Sequence, residues 1–258
     1  MPDLTSMEGL MIFLINTFAE KFPQSAILKG GMCLRLLDCP RLTNDIDYVF
    51  VPYRSKKDVL QGVTSVLDDI DGLTYEYSMN SKCLRIRVQY GELSTQIEAN
   101  VAEHYPATSI STAALSRQQG LLGRIVQVAG YDVSMANKLA AWNERALVRD
   151  LYDLYFLHTM VRAKPNMAVL EKRLQKVAST PRNRNPRRMT LDQLLAKLRA
   201  RLVALSADDI MIELSDYLPH DELRGLETKI RVQLLQLCDS LEGEANHDYL
   251  FINQRNDS

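Results

Sequence analysis

The sequence predicts an α+β protein in two parts: a mixed sheet flanked by helices over residues 1–132, then a helical domain over residues 133–258. Three observations predict it. Short β-branched runs alternate with helix-spaced runs through the first half. One of those runs, CLRIRVQY at 83–90, alternates strictly at Leu84, Ile86, Val88 and Tyr90, the period of a half-buried strand. From Ser134 onward the apolar residues recur almost everywhere at helical spacing.

The elements follow in order. Met11, Leu14, Ile15 and Phe18 mark an amphipathic helix over 6–21. SAILKGG is a short strand entering a glycine turn, and MCLRLL is the helix after it. IDYVFV at 46–51 is a buried strand. Val59, Val63, Val66, Leu67 and Ile70 give a second amphipathic helix. Strands are expected at 73–78, 83–90 and 94–101, with one more in GRIVQVAG at 123–130. In the second half, Leu191, Leu194, Leu195, Leu198 and Leu202 form one stripe, and Leu223, Leu226, Ile230, Leu234 and Leu237 another. TPRNRNPRR at 180–188 reads as a loop, because proline breaks a helix and nothing apolar anchors the segment.

Composition narrows the function classes. The chain has 258 residues, 46% hydrophobic and 24% charged, and a formal net charge of −1, so any nucleic-acid contact needs a local patch. The cysteines at 33, 39, 83 and 238 form no C-x-x-C pair, which argues against zinc and for reduced thiols in the cytoplasm. The run LMIFLI is too short to span a bilayer, and MPDLTSMEG has no basic leader character; no membrane association is expected.

The chemistry is concentrated in LKGGMCLRLLDCPRLTNDID at 28–47. Asp45 and Asp47 stand one residue apart at the start of a strand, so both carboxylates project from one face. Like charges at that range raise each other's pKa unless a cation lies between them. Mg2+, or Mn2+ in its place, suits an all-oxygen donor set shared with substrate phosphates. Glu98, in STQIEANV between apolar Ile97 and Val101, is the candidate third acid. Glycine lets backbone N–H groups approach a phosphate, so Gly30 and Gly31 are candidate phosphate contacts. Alone, a D-x-D pair reads as a solvated strand end and a G-G pair as a turn. In this order and spacing they resemble the arrangement of a polymerase-β-like nucleotidyltransferase.

A second constellation lies in ANKLAAWNERALVRDLYDL at 136–154. Lys138, Trp142 and Arg145 share one helix face. Asp150 and Asp153 fall on the side away from the stripe Leu151, Leu154, Tyr155 and His158. The plain alternative is a salt-bridged, solvated helix surface.

Together, LKGGMCLRLL, RLTNDIDYVF, the strand acid and the lysine helix running into RDLYDL resemble the AbiEii/AbiGii family of bacterial toxin nucleotidyltransferases, over about residues 25–160. The resemblance implies an Mg2+-dependent enzyme that moves a nucleoside monophosphate from an NTP to an acceptor and releases pyrophosphate. It implies tRNA 3′ ends or another RNA as acceptor, growth arrest as the outcome, and a cognate antitoxin as partner. It implies that Gly30 and Gly31 cradle the triphosphate and that Thr43 hydrogen-bonds near metal or phosphates. Asp45 and Asp47 would hold the metal, with Glu98 as third ligand. Lys138 would contact the nucleotide phosphates, and Asp153 would be the essential acid of the second motif, with Asp150 as its neighbour and alternate. Two departures stand out: the family often has serine at the position of Gly31, and often aspartate at that of Glu98. Two other functions stay open from sequence, a nucleotidyltransferase acting on a small hydroxyl compound and a non-catalytic binding module on the same fold. The arginines at 182, 184, 187 and 188 are candidate RNA contacts or a solvated linker.

Overall fold

The structure, a computed structural model, describes residues 4–81, 83–175 and 188–256, with side chains described as far as residue 243. It divides into two compact units, Met1–Gly130 and Tyr131–Ser258.

The first unit is a seven-stranded mixed sheet with helices. Its elements are α1 (Met7–Lys21), β1 (Ala26–Lys29), α2 (Gly30–Arg35), β2 (Asp45–Phe50), α3 (Lys56–Asp68), β3 (Leu73–Met79), β4 (Leu84–Tyr90), β5 (Leu93–Val101), β6 (Ala107–Ser111), α4 (Ala113–Gln118) and β7 (Ile125–Ala129). The strand order is β3-β4-β5-β2-β1-β7-β6. β2 pairs antiparallel with β1 and parallel with β5, so it sits at the centre of the sheet. Leu10, Leu14 and Phe18 of α1 are fully buried, and the Phe18 ring stacks on Tyr48 of β2 at 5.4 Å between centroids. That face of β2 is therefore apolar, which leaves its alternate residues, Asp45 and Asp47, for the other face.

The structure adds β6 and α4 to the expected elements. The β6 segment ATSIS is short and lies at the sheet edge, so it lacks the apolar alternation that marks a half-buried strand. The glycine pair opens α2 instead of preceding it. Arg35 anchors this short helix: its Nε donates to Glu8 Oε1 at 2.8 Å.

The second unit is helical: α5 (Tyr131–Arg145), α6 (Val148–Thr159), α7 (Met167–Leu174), α8 (Leu191–Val203), α9 (Ala207–Leu214), α10 (His220–Leu223) and α11 (Leu226–Asn256). Leu194, Leu195, Leu198 and Leu202 are buried, as the stripe predicts. The stripe from Leu223 to Leu237 is also buried, but it belongs to two helices. Gly225 parts them with a φ of +66°, a conformation that glycine takes without the Cβ clash of other residues. All four cysteines are buried thiols. Arg182, Arg184 and Arg187 lie outside the described residues; Arg188 is exposed. Among the described residues no helix is long and apolar enough to cross a membrane.

Candidate active site

Strand register assembles the acids of the first unit. β2 and β5 run parallel with Asp45 opposite Gln96 and Asp47 opposite Glu98. Period-2 alternation then puts all four side chains on one face of the sheet. The same register aligns Lys29 of β1 with Asp47, and Arg85 of β4 with Glu98. The charges across the sheet therefore run Lys29, Asp47, Glu98, Arg85: a cation, two acids, a cation. Lys29 Nζ donates to Asp47 Oδ1 at 3.1 Å. Glu98 Oε1 accepts from Arg85 Nη2 at 2.7 Å, Arg85 Nε at 3.1 Å and Gln96 Nε2 at 3.0 Å. The Glu98 carboxylate in turn holds the Arg85 guanidinium above its ordinary pKa. Two carboxylates facing each other across strands repel. The flanking cations offset that repulsion.

The glycine pair has a steric reason. Gly30 has a φ of +72°, and a Cβ there would stand 2.1 Å from Asp47 Oδ2. A Cβ on Gly31 would stand 2.6 Å from Thr43 Oγ1. The space a larger residue would fill is taken by the Asp47 carboxylate and the Thr43 hydroxyl. The structure thus brings together Gly30 with Asp47, Gly31 with Thr43, and Asp47 with Glu98. Asp45 is exposed at the start of β2.

Asp45, Asp47 and Glu98 are an all-oxygen donor set, the chemistry a hard divalent ion prefers. Their face and register fit such an ion. Their side chains are turned to other partners, however, and among the described residues no three His, Cys, Asp or Glu side chains gather as a metal site. The positions beside Asp47 and Glu98 are held by the Lys29 ammonium and the Arg85 guanidinium.

The second unit holds the other constellation. Asp150 and Asp153 of α6 have 0% exposure. The plain alternative of a solvated helix surface is thereby corrected: the salt bridges are present, but they are buried. α6 is buried over most of its surface, and Val148, Leu151, Tyr152, Leu154, Phe156 and Leu157 are buried with the two acids. The two carboxylates meet cations from α5. Arg145 binds Asp150 through two bonds, Nε to Oδ2 at 2.8 Å and Nη2 to Oδ1 at 2.6 Å. Lys138 Nζ donates to Asp153 and stands 3.8 Å from Asp150 Oδ1. Trp142, between the two cations in sequence, is buried, and among the described residues its indole N–H is the buried side-chain donor without a hydrogen-bond partner. Lys197 Nζ lies 5.4 Å from the centre of its ring. Burial pushes the Lys197 pKa down.

Three residues escaped the sequence reading: Lys29, Arg85 and Gln96. Lys29 carries a weak signal, since it directly precedes the glycine pair. Arg85 and Gln96 carry none, because strand register is what sets them beside Glu98.

A mixed sheet with two acids on its central strand, a glycine turn packed against one of them and a following helical unit is the arrangement of the nucleotidyltransferase class. Residues 13–231 match the family model described as nucleotidyl transferase AbiEii toxin, type IV toxin–antitoxin system. The chain belongs to this family of toxin nucleotidyltransferases. The fold resembles that of JHP933 from Helicobacter pylori, with a TM-score of 0.53 at 16% identity, over 95% of this chain and 98% of that one. It also resembles a Helicobacter pylori chain titled as a candidate nucleotidyltransferase, with a TM-score of 0.52 at 16% identity, over 92% and 95%. Among curated proteins no sequence matches significantly.

Proposed function

We propose that the chain transfers a nucleoside monophosphate from an NTP to an acceptor hydroxyl, with the 3′ end of a tRNA or another RNA as acceptor, and so arrests growth as a cytoplasmic toxin. The observation that carries this reading is the register that sets Asp47 against Glu98, with Asp45 on the same face and Gly30 against Asp47. Asp45, Asp47 and Glu98 are proposed to hold Mg2+, or Mn2+ in its place. When bound, the ion supplies electrostatic stabilisation of the charge that develops on the phosphoryl oxygens.

The remaining roles fall to the chain itself. The backbone N–H groups of Gly30 and Gly31 donate to the triphosphate, and the missing Cβ atoms let Asp47 and Thr43 pack against the same turn. Thr43 presents its hydroxyl beside Gly31. Lys29 and Arg85 hold Asp47 and Glu98 and would give them up where a bound ion took over the charge compensation. Lys138 serves the nucleotide phosphates as a cation. Asp153, buried against it, fixes the ammonium, and Asp150 with Arg145 holds the neighbouring position. A cognate antitoxin protein is the proposed partner that restrains the activity.

The test is incubation with each of four α-labelled NTPs, Mg2+ and total RNA. Label on RNA that is lost in Asp45→Ala is the expected result. Label on a small hydroxyl compound alone redirects the acceptor. A wild type that labels nothing with any NTP removes the enzyme reading.

A further inference from the structure

Beside the acids, across β5, β4 and β3, lies a concavity of about 660 Å³ lined by polar and apolar groups alike, Met7, Tyr75 and Val88 among them. Its walls include Glu76, Arg87, Gln89, Ser94 and Gln96, with Asn44, the residue before Asp45. Register places these strand residues on the face of Asp47 and Glu98: Gln96 is opposite Asp45, Arg87 opposite Gln96, Gln89 opposite Ser94, and Glu76 opposite Arg87. Arg87 is exposed and, among the described residues, makes no ion pair, although Glu76 faces it across the strands. The volume suits one small organic unit. Its amides and guanidinium are the groups that bind base edges and backbone phosphate.

We propose that this concavity is the acceptor site and takes the terminal nucleotide of a single-stranded RNA, Arg87 on its phosphate and Gln89 on its base. The inference rests on the nucleotidyl-transfer reading above. Strand order decides which nucleotide sits here. β1, with the glycine turn after it, lies on one side of β2; β5, β4 and β3 lie on the other. Phosphoryl displacement keeps attacking and leaving oxygens roughly in line. With pyrophosphate leaving toward the glycine turn, the attacking hydroxyl enters from the β5 side, where the concavity begins. In that step the acceptor O–P bond forms as the bond from the α-phosphorus to the bridging oxygen breaks. The hydroxyl proton is given up and pyrophosphate carries away the bonding electron pair.

The shared chemistry, a nucleotide, could instead be the NTP's own base, so the experiment measures both. The affinity of the full chain is determined for a single-stranded RNA 12-mer with a free 3′ hydroxyl and, separately, for each NTP. Arg87→Ala is expected to weaken RNA binding roughly ten-fold and to flatten its salt dependence by about 0.7 in log–log slope, the share of one phosphate contact. Gln89→Ala should weaken it less and leave the slope alone. Arg87→Lys should restore the slope. NTP affinity should stay unchanged in all three. Weakened NTP binding with RNA unaffected assigns the concavity to the NTP base and overturns the proposal. Unchanged RNA binding in Arg87→Ala and Gln89→Ala also overturns it, including the case where transfer to a small hydroxyl compound falls instead. Binding needs no turnover, so a wild type that transfers no label sinks the reaction reading without moving these affinities.

Discussion

Asp45 and Asp47 of the first unit and Asp150 and Asp153 of the second are both close-spaced acid pairs, yet they are built for opposite ends. The strand pair stands at the edge of solvent: Asp45 is exposed, and the Asp47 side chain keeps 26% of its accessibility. Its partner Lys29 is equally accessible at 26%. The helix pair has 0% exposure and is held by two cations of the preceding helix. An exposed ion pair is held by about 0–1 kcal/mol and can exchange partners. A buried one cannot lose a partner without leaving an uncompensated charge in a low-dielectric interior. The first pair suits a site that must take up and release ions and substrate. The second suits a fixed framework that positions Lys138.

The contrast can be broken most directly at Asp153. Asp153→Asn should destabilise the protein by about 3 kcal/mol, since the Lys138 ammonium loses its close carboxylate and keeps only Asp150 at 3.8 Å, which Arg145 already holds. Urea unfolding followed by circular dichroism measures this. The double variant Lys138→Met, Asp153→Leu should regain most of the loss. If Asp153→Asn is as stable as wild type, the buried pair is no framework.

Next in size is Asp45→Ala. It should lower label transfer by about 10²–10³-fold, the usual cost of one group that stabilises transition-state charge. Stability should hold, because the change also removes a like charge from the acid face. A loss of fold comparable to that of Asp153→Asn would erase the distinction between the pairs.

Gly30→Ala tests the steric link between turn and acid. A side chain at positive φ costs about 1–2 kcal/mol. The new Cβ also displaces the Asp47 carboxylate. Transfer should fall together with stability, read from initial rates and from the unfolding midpoint. Gly225→Ala has a similar φ of +66° but open space around it, so it should carry the stability cost alone.

The smallest effect belongs to Asp209, a half-exposed acid of the second unit. Arg201 and the Ser206 cap hold its carboxyl down at about 2. A depressed acid contributes stability above its unfolded value near 3.8, and that contribution is lost as pH falls toward 2. Solvent screening limits it to about 1 kcal/mol or less. Unfolding midpoints at pH 5 and pH 3 should differ less in Asp209→Asn than in wild type.

Sequence legibility differed between the two regions for a physical reason. Asp45, Asp47, Gly30 and Gly31 are local: a period of two on a strand and a turn before a helix can be read from neighbouring residues. Glu98 is legible as an acid between the apolar residues Ile97 and Val101, but its pairing with Asp47 is a matter of parallel register between distant stretches of chain. Lys29 and Arg85 are ordinary cations until that register aligns them. The burial of Asp150 and Asp153 was equally hidden. Helical spacing states which residues share a face; it does not state how much of the helix circumference neighbouring helices cover.

The sequence by itself determined the α+β architecture, most of the element order, the glycine–acid motif and the family resemblance, because each is written in short-range spacing. Only the tertiary structure decided that Gly30 makes room for Asp47, that Glu98 stands beside it between two cations, and that the second acid pair is buried. Those facts depend on strand register and helix packing, which join residues far apart in the chain and leave no local trace in it.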